Sequence, residues 1–309
     1  MQRRSLPLDA GGGLALREYA PAGVPKASVV IGGAMGVPQG FYAAFAQWLA
    51  GQGYRVVTFD YRGHGESLPD TPGHTLRGYR ADLFDWAGDY ETVVRTVRQE
   101  QPEQPLYLLG HSLGAQLPGL FQQPGQVDGL LSVAAGSGYW RDNAPQLRRR
   151  VLFLWYVMAP LATRAWGYFP GRRLGMVGDL PAGVIRQWRR WCLHPRYSAG
   201  AEGAVIAERY AQVRFPVLAW SFSDDELMTL RGTHNLFKLY RNALRRVESL
   251  GPADASMRRI GHFGMFREQF RDTLWQRSIA ALNSLAELGK SSVPSGTDPA
   301  EPLPQTSNP

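Results

Sequence analysis

Cysteine occurs once in this chain, at Cys192, and lysine only at Lys26, Lys238 and Lys290. A single cysteine excludes an internal disulfide and any cysteine-built metal cluster. With lysine so scarce, the excess of 34 basic over 26 acidic residues is almost wholly arginine. No run of those arginines reads as a nucleic-acid module, so no nucleic-acid partner is expected. The Arg, Ala, Gly and Pro bias reads instead as coding composition. Long apolar runs are missing as well. No stretch reaches the roughly 18 residues of a membrane span, and Val151 to Thr163 comes nearest. The opening Met1-Gln-Arg-Arg-Ser-Leu-Pro-Leu-Asp9 lacks the apolar centre of a signal peptide. A soluble, cytoplasmic protein is the expectation.

What the sequence does hold is ample material for a core: 44% hydrophobic and 11% aromatic residues in 309. That length suits one α/β unit carrying an insertion. Its most informative stretch is Leu106-Tyr-Leu-Leu-Gly110-His-Ser112-Leu-Gly114. A buried apolar strand runs into Gly-His-Ser-Leu-Gly, a G-x-S-x-G pattern. Such a serine sits on a strained strand-to-helix turn with its hydroxyl raised above the sheet edge. Gly110 and Gly114 fall where the turn presses on neighbouring backbone and leaves no room for a Cβ. The Leu113 N–H, opening the next helix, would face a developing oxyanion.

Around that turn the chain alternates strand and helix. Leu6-Pro-Leu-Asp9 and Leu14 to Tyr19 flank Ala10-Gly-Gly-Gly13 and predict an opening hairpin. Ala27 to Ile31 predicts a strand, Gln39 to Gln52 a helix, Tyr54 to Phe59 a strand and Leu76 to Gln101 a long amphipathic helix. Pro118 should kink or shorten the helix behind the serine. Val127 to Ala135 is a further strand. Such βα alternation implies a mostly parallel sheet covered on both faces. From Trp140 to Tyr210 the rhythm yields to helical segments dense in aromatics and arginine, an inserted helical cap. It resumes with a strand at Val217 to Phe222, a helix at Thr233 to Arg241, a strand near Ser256 to Ile260 and a closing helix to Leu288. The expected division is a core of 1–139 and 211–288, a cap of 140–210, and a disordered tail of 289–309.

A serine hydroxyl needs a base, and the base an orienting acid. On this kind of turn the partners follow in the order Ser, Asp or Glu, His, each after a strand. Asp225 follows the Val217–Phe222 strand and His262 follows the last one. Asp224 and Glu226 adjoin Asp225; Asp225 is preferred by its place in the loop, with Asp224 second. His111 lies inside the elbow, and its side chain should point away from the hydroxyl. A second oxyanion donor is expected from Gly32-Gly-Ala34-Met35-Gly36 after the Ala27–Ile31 strand, at the Met35 N–H, with Ala34 as the alternative. Asp60-Tyr-Arg-Gly-His-Gly-Glu-Ser67 reads as scaffolding, Asp60 and Arg62 bonding the loop. Cys192 and His194, with no acid or elbow beside them, read as structural.

The elbow, the Asp60–Ser67 run, the post-strand Asp225 and Gly261-His262-Phe263 together resemble the α/β-hydrolase superfamily. The resemblance is greatest to the serine-aminopeptidase and monoacylglycerol-lipase-type esterases of bacteria, and runs from about Ser5 to Leu288. It implies an eight-stranded, mostly parallel sheet and serine hydrolase chemistry without cofactor or metal. The chain departs from it at Gly33-Ala34, where many members carry His-Gly. The reaction it implies is cleavage of a small-molecule acyl ester, the acyl group hydrophobic, through an acyl-enzyme on Ser112. Thioester or amide cleavage and acyl transfer are open to the same triad, as is a silent ligand-binding domain. The segment Val151 to Thr163 has two readings: a core helix of the cap with a solvated arginine face, or a peripheral membrane contact flanked by Arg148–Arg150 and Arg172–Arg173.

Overall fold

The computed structural model describes residues 1–8, 12–68 and 75–291. β1 (Gln2–Pro7) and β2 (Gly13–Tyr19) pair antiparallel as the expected hairpin, whose turn at 9–11 lies outside the described residues. There follow β3 (Ser28–Gly32), a 3₁₀ turn at Gln39–Tyr42, α1 (Ala43–Gly51), β4 (Arg55–Phe59), α2 (Leu83–Glu100), β5 (Leu106–His111), α3 (Leu113–Gln116) and β6 (Gly129–Val133). A helical excursion comes next: α4 (Pro145–Phe153), a π turn at Leu154–Met158, and α5 (Ala159–Trp166). A two-residue hairpin, β7 (Tyr168–Phe169) with β8 (Leu180–Pro181), precedes α6 (Ala182–Leu193), α7 (Tyr197–Ala201) and α8 (Ala204–Gln212). The chain returns through β9 (Val217–Phe222), α9 (Leu230–Phe237), β10 (Arg245–Leu250) and α10 (Gln276–Ser291).

The eight-stranded sheet has the order β1-β2-β4-β3-β5-β6-β9-β10, and β2 alone runs against the rest. Alternation along each strand divides its side chains between two cores, because successive residues face opposite sides. Val30, Leu108 and Leu130 pack with α2 and α3; Val29, Ile31, Leu109 and Leu131 pack with α1 and α10. Trp155, Trp191 and Tyr210 of the excursion join the first of these cores. The fold is therefore the α/β-hydrolase sheet with an inserted helical cap.

Two elements, α2 and the last strand, differ from expectation, and a third, α3, is short as expected. α2 starts at Leu83 rather than Leu76, since the Asp82 carboxylate accepts from the Phe84 and Asp85 amides and caps the helix there. α3 spans only four residues before a 3₁₀ turn at Leu117–Leu120, in keeping with the missing N–H of Pro118. No strand forms at 256–260. The last strand is β10, paired parallel to β9 from Arg245↔Val217 to Leu250↔Phe222. β10 is an edge strand, half of its residues exposed and four of six polar, so it lacks the apolar signature of its neighbours. In the stretch predicted as strand, the Ile260 and Gly261 amides instead donate to Asp224. The tail from residue 292 lies outside the described residues.

Candidate active site

The sheet order places β3 between β4 and β5, so the chain reverses direction across the sheet at the β3/β5 boundary, where open α/β folds bind ligands. Gly32 closes β3 opposite Gly110 of β5. Ser112 follows β5 with φ 52° and ψ −111°, a conformation costing roughly 1–3 kcal/mol that persists only where its surroundings impose it. Those surroundings are tight. A Cβ on Gly114 would sit 2.0 Å from the Gly32 carbonyl oxygen, and one on Gly110 would meet the Gly114 oxygen at 2.5 Å. The Ser112 amide is tied to the Val133 carbonyl at 2.9 Å, and its hydroxyl caps no amide of α3.

His262 and the three consecutive acids after β9 form one assembly. His262 Nδ1 lies 2.8 Å from Asp225 Oδ2, and both side chains are almost wholly buried. Asp225 is fixed through its other oxygen, which accepts from the Leu227 and Met228 amides at 2.7 and 2.9 Å. A carboxylate on Nδ1 places the proton there and leaves Nε2 as an acceptor. Asp224 does not face the ring; it accepts from the Ile260 and Gly261 amides at 2.8 and 3.1 Å. Glu226 takes the His262 amide at 3.2 Å and pairs with Arg259 at 3.0 Å. Burial alone would raise the Glu226 carboxyl, but backbone amides, that of His262 among them, and Arg259 hold it below its ordinary range. Sequence reasoning weighed Asp224 and Glu226 only as rivals for one role. Their adjacency to Asp225 was the one available sign that the loop before His262 is held from three points.

The loop after β3 is pinned in a way that separates the two proposed donors. The Ala34 N–H donates to the Tyr42 hydroxyl at 2.8 Å, whereas the Met35 and Leu113 amides donate to no group of the described residues. The Tyr42 hydroxyl in turn meets His111 Nδ1 at 2.9 Å, and His111 Nε2 meets the His262 carbonyl at 3.0 Å. A carbonyl only accepts, so Nε2 carries the ring proton and Nδ1 accepts from tyrosine. Burial, and after it the neighbouring His262, lowers His111 well below the ordinary histidine range, so the ring is neutral. Tyr42 carried no motif in the sequence that marked it.

The remaining candidates are framework. Asp60 accepts from the Gln39 and Glu66 amides, both at 2.8 Å, and so ties the Asp60–Ser67 run to the turn before α1. Arg62 reaches away from that run to Asp89 of α2 at 2.6 Å. Cys192 is buried, and His194 Nδ1 accepts from the Arg196 amide. Among the described residues no group of three or more His, Cys, Asp or Glu side chains is placed to hold a metal ion.

Residues 23–170 match the family model described as serine aminopeptidase, S33. Rat (Rattus norvegicus) monoglyceride lipase is 30% identical over 120 residues, a stretch spanning 38% of this chain and 38% of the relative's length. A soluble variant of monoglyceride lipase from Saccharomyces cerevisiae superposes with a TM-score of 0.66 at 16% identity, covering 92% of this chain and 94% of that one. A carboxyl esterase from Bacillus coagulans superposes with a TM-score of 0.64 at 14% identity, covering 92% and 98%. The family-model match takes in the elbow and the loop after β3 but stops before Asp225 and His262, which rest on this chain's own geometry. The fold is that of the α/β-hydrolases, and residues 23–170, a little under half of the chain, resemble the serine-aminopeptidase family.

Proposed function

We propose that this chain is a serine hydrolase that cleaves a carboxylic ester of a hydrophobic acyl group. The observation that carries the reading is the 2.8 Å contact of His262 Nδ1 with Asp225, in a chain whose strained serine stands at the sheet's reversal point. His262 Nε2 takes the Ser112 hydroxyl proton as Oγ attacks the ester carbonyl carbon. The oxyanion is held by the N–H groups of Leu113 and Met35, the two amides that donate to no group of the described residues. His262 passes its proton to the leaving alkoxide, and the acyl-enzyme remains on Ser112. Water, deprotonated by the same ring, then releases the acid. Asp225 keeps the imidazole in the working tautomer and stabilises the imidazolium. The monoglyceride lipases and esterases among the similar proteins support an ester rather than an amide.

Fluorophosphonate labelling followed by turnover of p-nitrophenyl esters tests the reading. Labelling at Ser112 together with ester turnover is the expected result. A chain that neither labels nor turns over esters would be a ligand-binding domain, and the proposal would fall.

A further inference from the structure

The helix that opens with the Leu113 amide is a single turn. α3 ends at Gln116, and Pro118, with no N–H to offer the Gly114 carbonyl, stops its continuation. A helix ended so early leaves carbonyls that need other donors. Tyrosine hydroxyls supply them. Tyr240, just beyond α9, donates to the Ala115 carbonyl at 2.9 Å, and Tyr210 of α8 donates to that of Gln116 at 3.0 Å. A third phenol, Tyr197 of α7, donates to the Gln116 side-chain oxygen at 2.7 Å. Gln116 Nε2 in turn donates to the Gly136 carbonyl beyond β6 at 2.9 Å.

The surroundings are shaped to admit these phenols. All three tyrosines are buried, and burial raises each above the ordinary tyrosine range, so each keeps its proton and remains a donor. The Tyr210 and Tyr240 rings meet edge to face with centroids 5.0 Å apart. Gly119 makes room for them, since a Cβ there would lie 2.0 Å from the Tyr210 ring. The Gly119 amide also approaches the Tyr240 hydroxyl. That oxygen therefore bridges the Ala115 carbonyl and the Gly119 amide, two groups that a continuing helix would join directly. Phenylalanine would fill the same space with no hydroxyl to desolvate, and a buried hydrogen bond contributes only modest net stability. Packing alone does not call for three phenols on two neighbouring residues.

We propose that Tyr210 and Tyr240 are positioning residues for the elbow: by clasping the Ala115 and Gln116 carbonyls they fix the Leu113 amide where the oxyanion forms. Ala115 and Gln116 share one helical turn with Leu113, so whatever holds their carbonyls holds that amide and the Ser112 backbone before it. Tyr210 belongs to the insertion and Tyr240 to the stretch between α9 and β10. The insertion thus sets the geometry of the elbow as well as covering it. The catalytic consequence of the clasp rests on the ester reading; the clasp itself does not.

Tyr210→Phe/Tyr240→Phe keeps both rings and removes both oxygens, and it tests the clasp in the full chain with the two single variants beside it. Hydrogen exchange read by mass spectrometry should show the peptide covering 112–121 exchanging about tenfold faster or more, with α1 and β4 unchanged. Ester kinetics normalised to the fraction of sites titrated by fluorophosphonate should show kcat falling ten- to about a hundredfold, with KM within about twofold. Affinity for an acyl trifluoromethyl ketone, whose adduct on Ser112 carries the oxyanion, should fall by the same factor as kcat. Unchanged exchange over 112–121 would overturn the proposal. So would faster exchange with kcat per titrated site and ketone affinity intact, for then the phenols only add stability. Should the double variant fail to fold, the single variants decide: each should show the same three changes, smaller, and wild-type values in both would overturn the clasp. A wild type that neither labels nor turns over esters would remove the ester reading, and exchange alone would then uphold or overturn the clasp.

Discussion

His111 Nε2 donates to the carbonyl oxygen of His262 across 3.0 Å, so the residue before the elbow serine holds the backbone of the residue proposed as its base. Through Nδ1 and the Tyr42 hydroxyl the same ring holds the Ala34 amide, and with it the turn that presents Met35. The two sides of the proposed oxyanion site and its base are thus linked by three hydrogen bonds. Tyr42→Phe removes two of the three, leaving the Ala34 amide and His111 Nδ1 unsatisfied. Since small misplacements of catalytic groups cost up to about a hundredfold, kcat should fall ten- to a hundredfold with KM nearly constant. Steady-state kinetics normalised to the fraction of sites titrated by fluorophosphonate check this. A fall in the titrated fraction alone, with kcat per titrated site unchanged, would reduce Tyr42 to a packing residue.

Ser112→Ala should abolish fluorophosphonate labelling and lower turnover by about 10³-fold or more, leaving only oxyanion and binding contributions. Labelling that survives the substitution, mapped to another residue by peptide mass analysis, would displace the mechanism from this elbow.

The three acids after β9 separate by what they touch. Asp225→Asn exchanges the charge on His262 Nδ1 for an amide that also stabilises the wrong tautomer, and should cost roughly 10²–10⁴-fold in kcat. Asp224→Asn keeps an acceptor for only one of the Ile260 and Gly261 amides but leaves the carboxylate on His262 Nδ1 in place, and should cost far less. Glu226→Gln should resemble Asp224→Asn, because its contacts are to backbone and to an exposed arginine. Kinetics of the three variants side by side decide the order, and a larger loss at Asp224 would reverse the assignment.

What the sequence made legible follows from burial. β9 reads correctly to the residue because all six of its side chains are buried and the run is unbroken by polar groups. β10 does not, because an edge strand facing solvent has no need of apolar residues. The elbow was readable since Gly110 and Gly114 answer to local sterics, which a short motif encodes. Which of three adjacent acids meets His262 is a matter of turn geometry: the Asp225 amide donates to the Phe222 carbonyl, and that turn aims one side chain at the ring. Tyr42 was beyond reach because its hydroxyl meets a histidine 69 positions away, a relation only the folded sheet creates.

Two histidines make stability fall with acid. Burial lowers His111 and His64 below their ordinary range in the folded chain, while in the unfolded chain each titrates near 6.5. Below about pH 6.5 the unfolded state takes up protons that the folded state refuses, so unfolding becomes easier as pH falls. The slope approaches about 1.4 kcal/mol per pH unit for each such histidine and ends at its folded pKa. Above about 7 neither contributes to the pH dependence. Urea unfolding between pH 7 and 5 should therefore show a steady loss of stability. In His111→Gln the slope should be shallower by about one proton, whatever the substitution does to stability at pH 7; an unchanged slope would mean that His111 is charged in the folded chain.

Acyl-chain preference follows from what stands over the serine. The insertion leaves the sheet at the end of β6, on the edge where the strands end, and its Phe169 and Leu180 share a core with Met35 and Leu113. Ser112 keeps 8% and His262 2% of their surface exposed, so a substrate reaching them leaves water. Surroundings of that kind offer apolar area rather than fixed charges, and each methylene transferred to them contributes about 0.8 kcal/mol. Uniform burial of that sort would raise kcat/KM by up to about fourfold per methylene, less wherever chain ordering offsets it. Across p-nitrophenyl esters, kcat/KM should climb several-fold from acetyl to octanoyl and then level off as the available space fills. Removing the whole insertion is a poor control, because Tyr197 and Tyr210 hydrogen-bond Gln116 at the end of α3 and would take the elbow's support with them. The wild-type series is sufficient: a maximum at acetyl, or a preference for acyl groups carrying charge, would remove the apolar roof and leave the Ser112, His262 and Asp225 assignments standing.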